Sequence, residues 1–202
     1  MTFDPATTSI RDFYRHMISC ITPRPIAWVS TISPRNVPNL APFSFFNGVG
    51  ANPPAVVFSP TNRRDGSPKD TLINVEKSGQ FVVNVVSESV AKLMNDTSAE
   101  IDYEVSEFEL CGLTPIPASR VKPPMVKEAM VQMECELIEI VHVGRGPLAA
   151  NIVIGRIVMM HVNESVLDAN GQIDPDKLAT VGRMGGMSYC RTKDRFELER
   201  PT

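Results

Sequence analysis

The arrangement of apolar and polar positions predicts a chain built mainly from β-strands. Residues 131–143 alternate most clearly, with apolar Val131, Met133 and Cys135 separated by polar residues. This alternation places Gln132, Glu134, Glu136 and Glu139 on an outward polar face. Runs rich in β-branched and aromatic residues mark the other strands. The predicted strands are 25–33, 40–49, 55–59, 80–86, 131–143 and 151–162.

Helical periodicity is confined to short stretches. The predicted helices are 10–19, 68–78, 86–98 and 174–179. For the second of these, Ser67 suits the N-cap, Pro68 suits the first helical position and Gly79 suits the C-terminal stop. Six strands with isolated short helices predict a mainly β fold, a closed barrel with helices at its periphery.

The chain carries no clear domain boundary. Its 202 residues are enough for one sizeable core, and we expect a single domain over residues 1–202. Four prolines lie in residues 115–124, which we interpret as an extended surface crossing rather than a linker. Gly155 interrupts a long predicted strand and indicates a bulge or a bend there.

Candidate chemistry concentrates around the start of the 68–78 helix. Arg63, Arg64 and Lys69 surround its N-terminus, which already favours an anion through its free N–H groups and its dipole. Aromatic and small polar residues follow one another in 43–47, about twenty residues upstream. An anionic group joined to a flat ring would satisfy both features, and flavin mononucleotide (FMN) has both. The alternative is an ordinary capped helix with surface cations, and core aromatic residues.

Composition excludes several other classes of protein. The net charge of −3 gives no basic excess for binding nucleic acid. No apolar run is long enough to cross a membrane, and the N-terminus lacks a signal-peptide core. The four cysteines are widely spaced and the three histidines show no ligand spacing, so we expect no metal site and a reducing, cytoplasmic location.

Familiar catalytic motifs are also missing from the sequence. No Gly-x-Gly-x-x-Gly follows a strand, and neither a Walker loop nor a Gly-x-Ser-x-Gly elbow occurs. We therefore assign no catalytic side chain, and we expect a bound cofactor to carry any chemistry.

Several segments, in order, resemble one known family. They are Arg24-Pro25-Ile26-Ala27-Trp28-Val29-Ser30-Thr31, residues 39–47, Pro53-Pro54, Lys69-Asp70-Thr71, Gly112-Leu113 through Pro124, Cys135-Glu136-Leu137, Gly155-Arg156-Ile157-Val158, and Gly182-Arg183-Met184-Gly185-Gly186 with Tyr189. Together they resemble the flavin reductase-like family of FMN-binding split barrels, near flavoredoxin. The likeness covers about residues 10–192.

That resemblance implies a six-stranded split β-barrel of Greek-key type, a homodimer, and FMN held non-covalently near the subunit interface. By the resemblance, Ser44, Phe45, Phe46 and Asn47 would lie against the isoalloxazine ring, bordered by Ser30 and Thr31. The ribityl-phosphate end would meet Ser59, Arg63, Lys69, Asp70 and Thr71, with Arg64 as an alternative to Arg63. Tyr189 would either approach the flavin or pack at the interface.

Two functions follow from the resemblance. In the first, the protein is an NAD(P)H-dependent flavin reductase that passes hydride from nicotinamide to flavin and can supply a monooxygenase or another redox protein. In the second, it is a flavoredoxin-type FMN electron carrier without an efficient nicotinamide reaction. The sequence contains no separate nicotinamide motif, so both remain open.

Overall fold

A computed structural model describes residues 1–201, in which strands predominate. The strands are β1 Ala27–Ile32, β2 Pro38–Phe43, β3 Phe46–Ala51, β4 Pro54–Phe58, β5 Gln80–Val85, β6 Pro115–Ile116, β7 Met125–Val126, β8 Val131–His142, β9 Asn151–Val162, β10 Val181–Arg183 and β11 Tyr189–Arg191. The α-helices are α1 Ile10–Cys20, α2 Asp70–Ser78, α3 Ala91–Asp96, α4 Glu107–Leu110 and α5 Pro175–Leu178. This confirms the mainly β fold class with short helices.

The main sheet closes on itself because its two edge strands are consecutive in the chain. Its order is β2-β1-β5-β8-β9-β4-β3, with antiparallel neighbours throughout. Only Ser44 and Phe45 connect β2 to β3, so the end of one edge strand must lie close to the start of the other. The sheet therefore curls into a barrel.

The strand count differs from the predicted six. The single strand predicted over 40–49 is broken at Ser44 and Phe45, where the chain bends, and the described sheet consequently has seven strands. A continuous strand over 40–49 would direct Phe45 and Phe46 to opposite faces. Instead, Phe45 lies in the link, while Phe46 begins β3 and packs against the core.

Two layers of apolar side chains lie on either side of β1. Ala27 and Val29 pack into the barrel interior, whereas Trp28 packs outward against a cluster that includes Met94 and Phe108. Successive side chains of a strand point to opposite faces. Because both faces of β1 are covered, its first three residues are all apolar without alternation, and the polar Ser30 and Thr31 that follow are buried as well.

Gly155 lets two strands approach the ring of Phe81. A Cβ atom at Gly155 would lie 2.3 Å from Cζ of that ring, which is fully buried in the barrel. The register between β8 and β9 shifts near this point, between Leu137 and Glu139. The predicted irregularity at Gly155 is therefore present, and its physical cause is the space that Phe81 occupies.

The outward polar face predicted for residues 131–143 is wrong at its start. Gln132 and Glu134 are 6% and 0% exposed, because the segment around residues 119–126 covers this side of β8. Glu136 and Glu139 are not buried. The 115–124 segment is accordingly more than a surface crossing: Val121 is buried in its own apolar cluster, and strand β6 begins the segment.

The start of α2 also differs from the prediction. The helix begins at Asp70 with Lys69 as its N-cap, and no side chain caps it. Ser67 instead donates its hydroxyl to Asp65 at 2.6 Å, so it is not available to the helix. The stop at Gly79 is confirmed: its φ of 66° is left-handed, and its N–H donates to the Val75 carbonyl.

The third predicted helix is shorter than its sequence pattern suggested. Residues 86–98 form a 3-10 turn, Glu88–Val90, followed by α3. The fourth is confirmed, since Asp174 accepts from the N–H groups of Asp176 and Lys177 at the start of α5. Within residues 1–201, every helix is too short or too polar to cross a bilayer.

Candidate functional site

The cations at the start of α2 face a small cavity, here called the Lys69 cavity. It has a volume of about 70 Å³ and includes Arg63, Lys69, Asp70, Thr71, Asn39 and Glu107 in its lining. Arg63 donates from Nη2 to both carboxylate oxygens of Asp70, at 2.7 and 2.8 Å. Arg64 is exposed and lies outside this lining, so Arg63 is the arginine that turns inward.

Lys69 is the second cation of this cavity, and the Glu100 carboxylate also lines it. Its ammonium lies 5.9 Å from the centre of the Phe43 ring and makes no hydrogen bond or ion pair with any residue in 1–201. Burial lowers the pKa of Lys69, and the nearby carboxylate of Glu100 opposes that shift. A half-buried cation beside an uncapped helix N-terminus favours an anionic ligand.

A buried hydrogen-bond network supports the floor of the cavity. Thr71 donates its hydroxyl to Oδ1 of Asn39 at 2.9 Å, and Thr31 donates to the same oxygen at 3.2 Å. Asn39 in turn donates from Nδ2 to both carboxylate oxygens of Glu107, at 3.0 and 3.1 Å. These contacts fix the first turn of α2 against β1 and β2.

Glu107 is the acidic wall of the same cavity. It is 5% exposed, and it also accepts from the Leu40 N–H at 2.9 Å. Burial raises the pKa of Glu107 although these hydrogen bonds oppose the shift. Its oxygens are directed toward Asn39 and Leu40, which limits their repulsion of an anion at Lys69.

A second cavity, here called the Arg24 cavity, adjoins the first. Its volume is about 330 Å³, and its lining includes Arg24, Ser44, Met94, Asn95, Arg183 and Tyr189. Pro42 and Ser98 line both this cavity and the Lys69 cavity. A ligand can therefore extend from the cations of α2 to Arg24 and Tyr189.

An apolar groove, here called the Phe45 groove, continues from the Arg24 cavity. It has a volume of about 460 Å³, and its lining includes Phe45, Phe46, Asn47, Val57, Ser59 and Val143. Arg24 and Ser44 are common to this groove and the Arg24 cavity. Ser59 donates its N–H to the Phe45 carbonyl at 2.9 Å, which holds the bend between β2 and β3 against the end of β4.

The structure brings together ten of the twelve residues proposed from the sequence. Arg63, Lys69, Asp70 and Thr71 share the Lys69 cavity, Tyr189 lines the Arg24 cavity, and Ser44 joins the latter to the Phe45 groove. The groove itself contains the remaining four, Phe45, Phe46, Asn47 and Ser59.

Ser30 and Thr31 lie elsewhere. Both are fully buried on β1 and line none of the three spaces. Ser30 donates its hydroxyl to the Pro124 carbonyl, which joins β1 to the segment before β7. Thr31 reaches the site only through Asn39.

Residues that sequence reasoning did not select also line the site, among them Arg24, Asn39, Glu107 and Arg183. Arg24, Asn39 and Arg183 stand in the segments on which the family resemblance rests, so that signal could have singled them out. No local pattern marks Glu107, because its role depends on the packing of α4 against β2.

Solved structures of other proteins share this architecture over their full length. Nitrilotriacetate monooxygenase component B from Bacillus cereus is 36% identical, with a TM-score of 0.93 and 98% of each chain covered. Pseudomonas fluorescens 2-nitrobenzoate 2-nitroreductase is 31% identical, with a TM-score of 0.89 over 100% of this chain and 97% of that one. A protein with a split barrel domain from Shewanella frigidimarina is 27% identical, with a TM-score of 0.84 and 100% of both chains covered.

The barrel and its adjoining cavities thus define a protein of the split-barrel flavin class. The family model described as flavin reductase like domain matches residues 18–182. The chain belongs to that family, which confirms the family resemblance found in the sequence.

Proposed function

We propose that the protein is an FMN-dependent oxidoreductase that takes hydride from NADH or NADPH. The observation that carries this proposal is the Lys69 ammonium, which forms no ion pair within residues 1–201. It lies beside the uncapped N-terminus of α2, in the first of three spaces that share lining residues. Family membership supports a flavin as the ligand of that path.

The residues present fit FMN better than a flavin without phosphate. Lys69, the Thr71 region and the free N–H groups of α2 would hold a phosphate, while Asp70 keeps Arg63 in place through the bidentate ion pair. The Phe45 groove offers the aromatic and apolar surfaces that a flat ring needs.

Bound flavin would supply the hydride chemistry, and the side chains of this protein would orient it and exclude water. The bend at Ser44 and Phe45 presents backbone groups beside the groove, which suits the polar edge of a ring. The Asn47 side chain is directed to the Gly48 N–H, 2.8 Å away, and so retains its amide donors for other partners.

A homodimer is part of the proposal because the Phe45 groove is open and apolar. Val143 at its edge is 62% exposed, and Val49 and Met187 are also exposed. A second subunit would cover these side chains and complete the wall of the groove. The likeness to a monooxygenase component supports a monooxygenase or another redox protein as the acceptor.

The test is anaerobic reduction of the FMN-loaded protein. We expect NADH or NADPH to bleach the flavin absorbance within seconds and in proportion to the nucleotide added. Dithionite serves as the control, since it reduces bound flavin whatever the natural donor is. Bleaching by dithionite alone would favour the flavoredoxin-type carrier and overturn the reductase.

A further inference from the structure

Arg24 brings an unbalanced positive charge to the wall of its cavity. The residue is 5% exposed. Its guanidinium donates to the carbonyls of Ile18, Ile21 and Met184 at 2.7, 2.6 and 3.1 Å, and to the Ser44 hydroxyl at 3.3 Å. All four acceptors are neutral, so they fix the group without compensating its charge. A guanidinium has five N–H donors, which leaves one on Nη2 for a ligand.

Arg183 brings a second guanidinium to the same cavity. It lies 4.5 Å from the centre of the Tyr189 ring and donates to the Gly186 carbonyl at 2.6 Å. The backbones of Arg24 and Arg183 exchange hydrogen bonds at 3.0 and 2.8 Å, which places the two residues directly opposite each other. Neither arginine has a carboxylate partner within residues 1–201.

The lining of the Arg24 cavity gives these charges no acidic counterpart. Among the described residues it contains two arginines and no aspartate or glutamate. Burial lowers the pKa of Arg24, and the proximity of Arg183 lowers it further, although Tyr14 opposes the shift. Two neighbouring cations in a partly enclosed, carboxylate-free space favour occupation by an anion.

We propose that the Arg24 cavity is a subsite for an oxyanion, either phosphate or carboxylate, on the molecule that exchanges electrons with the flavin. This inference rests on the proposed function, because it assigns the flavin phosphate to Lys69 and leaves Arg24 and Arg183 for the second ligand. Asn95 and Ser98 add polar groups to the lining, and Tyr189 and Met94 add an apolar surface beside the charge. Arg24 is the fixed donor, and the half-buried Arg183 is the second cation of the subsite.

Calorimetry on the FMN-saturated protein tests the subsite with inorganic pyrophosphate and benzoate as probes. We expect at least one probe to bind. We expect Arg183→Gln to weaken the affinity for that probe about tenfold, the effect of losing one charge-assisted contact. Arg183→Lys should recover most of the affinity, and circular dichroism confirms folding. Arg191→Gln is the matched control, because Arg191 lies on the adjacent strand and pairs with Glu88 outside this cavity.

The relative strength of the two probes identifies the source of the oxyanion. If pyrophosphate binds more tightly than benzoate, and Arg183→Gln raises the KM for the nicotinamide nucleotide at unchanged kcat, the subsite is assigned to the nucleotide. If benzoate binds more tightly than pyrophosphate, the subsite is assigned to a carboxylated acceptor. Two results would overturn the subsite. One is probe binding that is unchanged in Arg183→Gln, and the other is that neither probe binds below about 10 mM, which marks very weak affinity.

Two further outcomes separate this inference from the proposed function. Probe binding that depends on Arg183 in a protein that NAD(P)H does not bleach would retain the oxyanion subsite and reject the reductase. A loss of FMN affinity in Arg183→Gln as large as the loss of probe affinity would show that the arginines contact the flavin, and would overturn the second-ligand assignment.

Discussion

At the N-terminus of α2, Arg63 and Lys69 carry the same charge but have different partners. Arg63 is neutralised by Asp70 through two hydrogen bonds, whereas Lys69 lies over the face of Phe43 and forms no ion pair within residues 1–201. A planar guanidinium suits a carboxylate, and an ammonium acts as a point charge. We therefore propose that Arg63 has a structural role through its ion pair with Asp70, and that the charge of Lys69 is the one offered to a ligand.

Replacement of Lys69 by alanine should weaken the binding of FMN without changing the binding of riboflavin. One charge-assisted contact to a phosphate corresponds to about 1.5–3 kcal/mol, so the Kd for FMN should rise at least tenfold. Fluorescence titration with both flavins measures this, and Lys77→Ala is the control because Lys77 is exposed in the last turn of the same helix. Equal losses for FMN and riboflavin would contradict a phosphate at Lys69.

At the scale of elements, one buried carboxylate on β8 holds the proline-rich segment against the barrel. Glu134 accepts from the N–H groups of Ser119, Arg120 and Val121 at 2.9, 2.6 and 3.0 Å, and it also lies 2.6 Å from Nε2 of His161 on β9. Burial alone would raise the pKa of Glu134, but the hydrogen bonds from Ser119 and His161 outweigh it and hold the value at about 2.

The stability of the protein should consequently fall in acid. The folded pKa of Glu134 is about 2 and its ordinary value is 4.5, so its contribution is complete above 4.5 and disappears as the pH falls toward 2. That shift corresponds to about 3 kcal/mol. Urea unfolding should show Glu134→Gln less stable by about this amount at pH 7, with a difference that narrows in acid.

Glu136→Gln is the matched control for that measurement. Glu136 lies two residues further along β8, is partly exposed and pairs with Arg156 at 2.6 Å. An exposed pair of this kind contributes at most about 1 kcal/mol. If the free energies of unfolding of the wild type and Glu134→Gln differ by the same amount at pH 7 and in acid, the role given to the buried carboxylate is contradicted.

At the scale of the whole molecule, the two-residue link between β2 and β3 joins the barrel's closure to its site. The bend that brings the sheet edges together also directs Ser44 and Phe45 toward the cavities. The same region exposes apolar side chains on the rim of the Phe45 groove, among them Val143. We propose that a partner subunit covers this apolar rim.

Light scattering should give twice the 22.2 kDa mass of one chain. Val143→Glu should shift the mass toward a single chain and weaken flavin binding, because a charge would be placed in the apolar interface. Val105→Glu is the control, since Val105 is also exposed but lies outside the groove. A wild-type mass near 22.2 kDa with flavin fully bound would reject the dimer.

The sequence by itself determined most of the strands and helices, because their signals are local. β9 matches its predicted bounds, β5 and β8 differ from theirs by one residue, and α5 lies within its predicted range with Asp174 as its N-cap. Residues 63–71 could be proposed as an anion site for the same reason: a helix N-terminus and its neighbouring cations are close in the chain.

Only the tertiary structure decided which polar residues are buried and which charges are balanced. Glu134 reads as an outward residue in an alternating strand, yet a segment from elsewhere in the chain covers it. Arg24 and Arg183 are far apart in sequence and meet through one backbone bridge. Burial, charge compensation and cavities depend on contacts between distant segments, which periodicity along a chain does not encode.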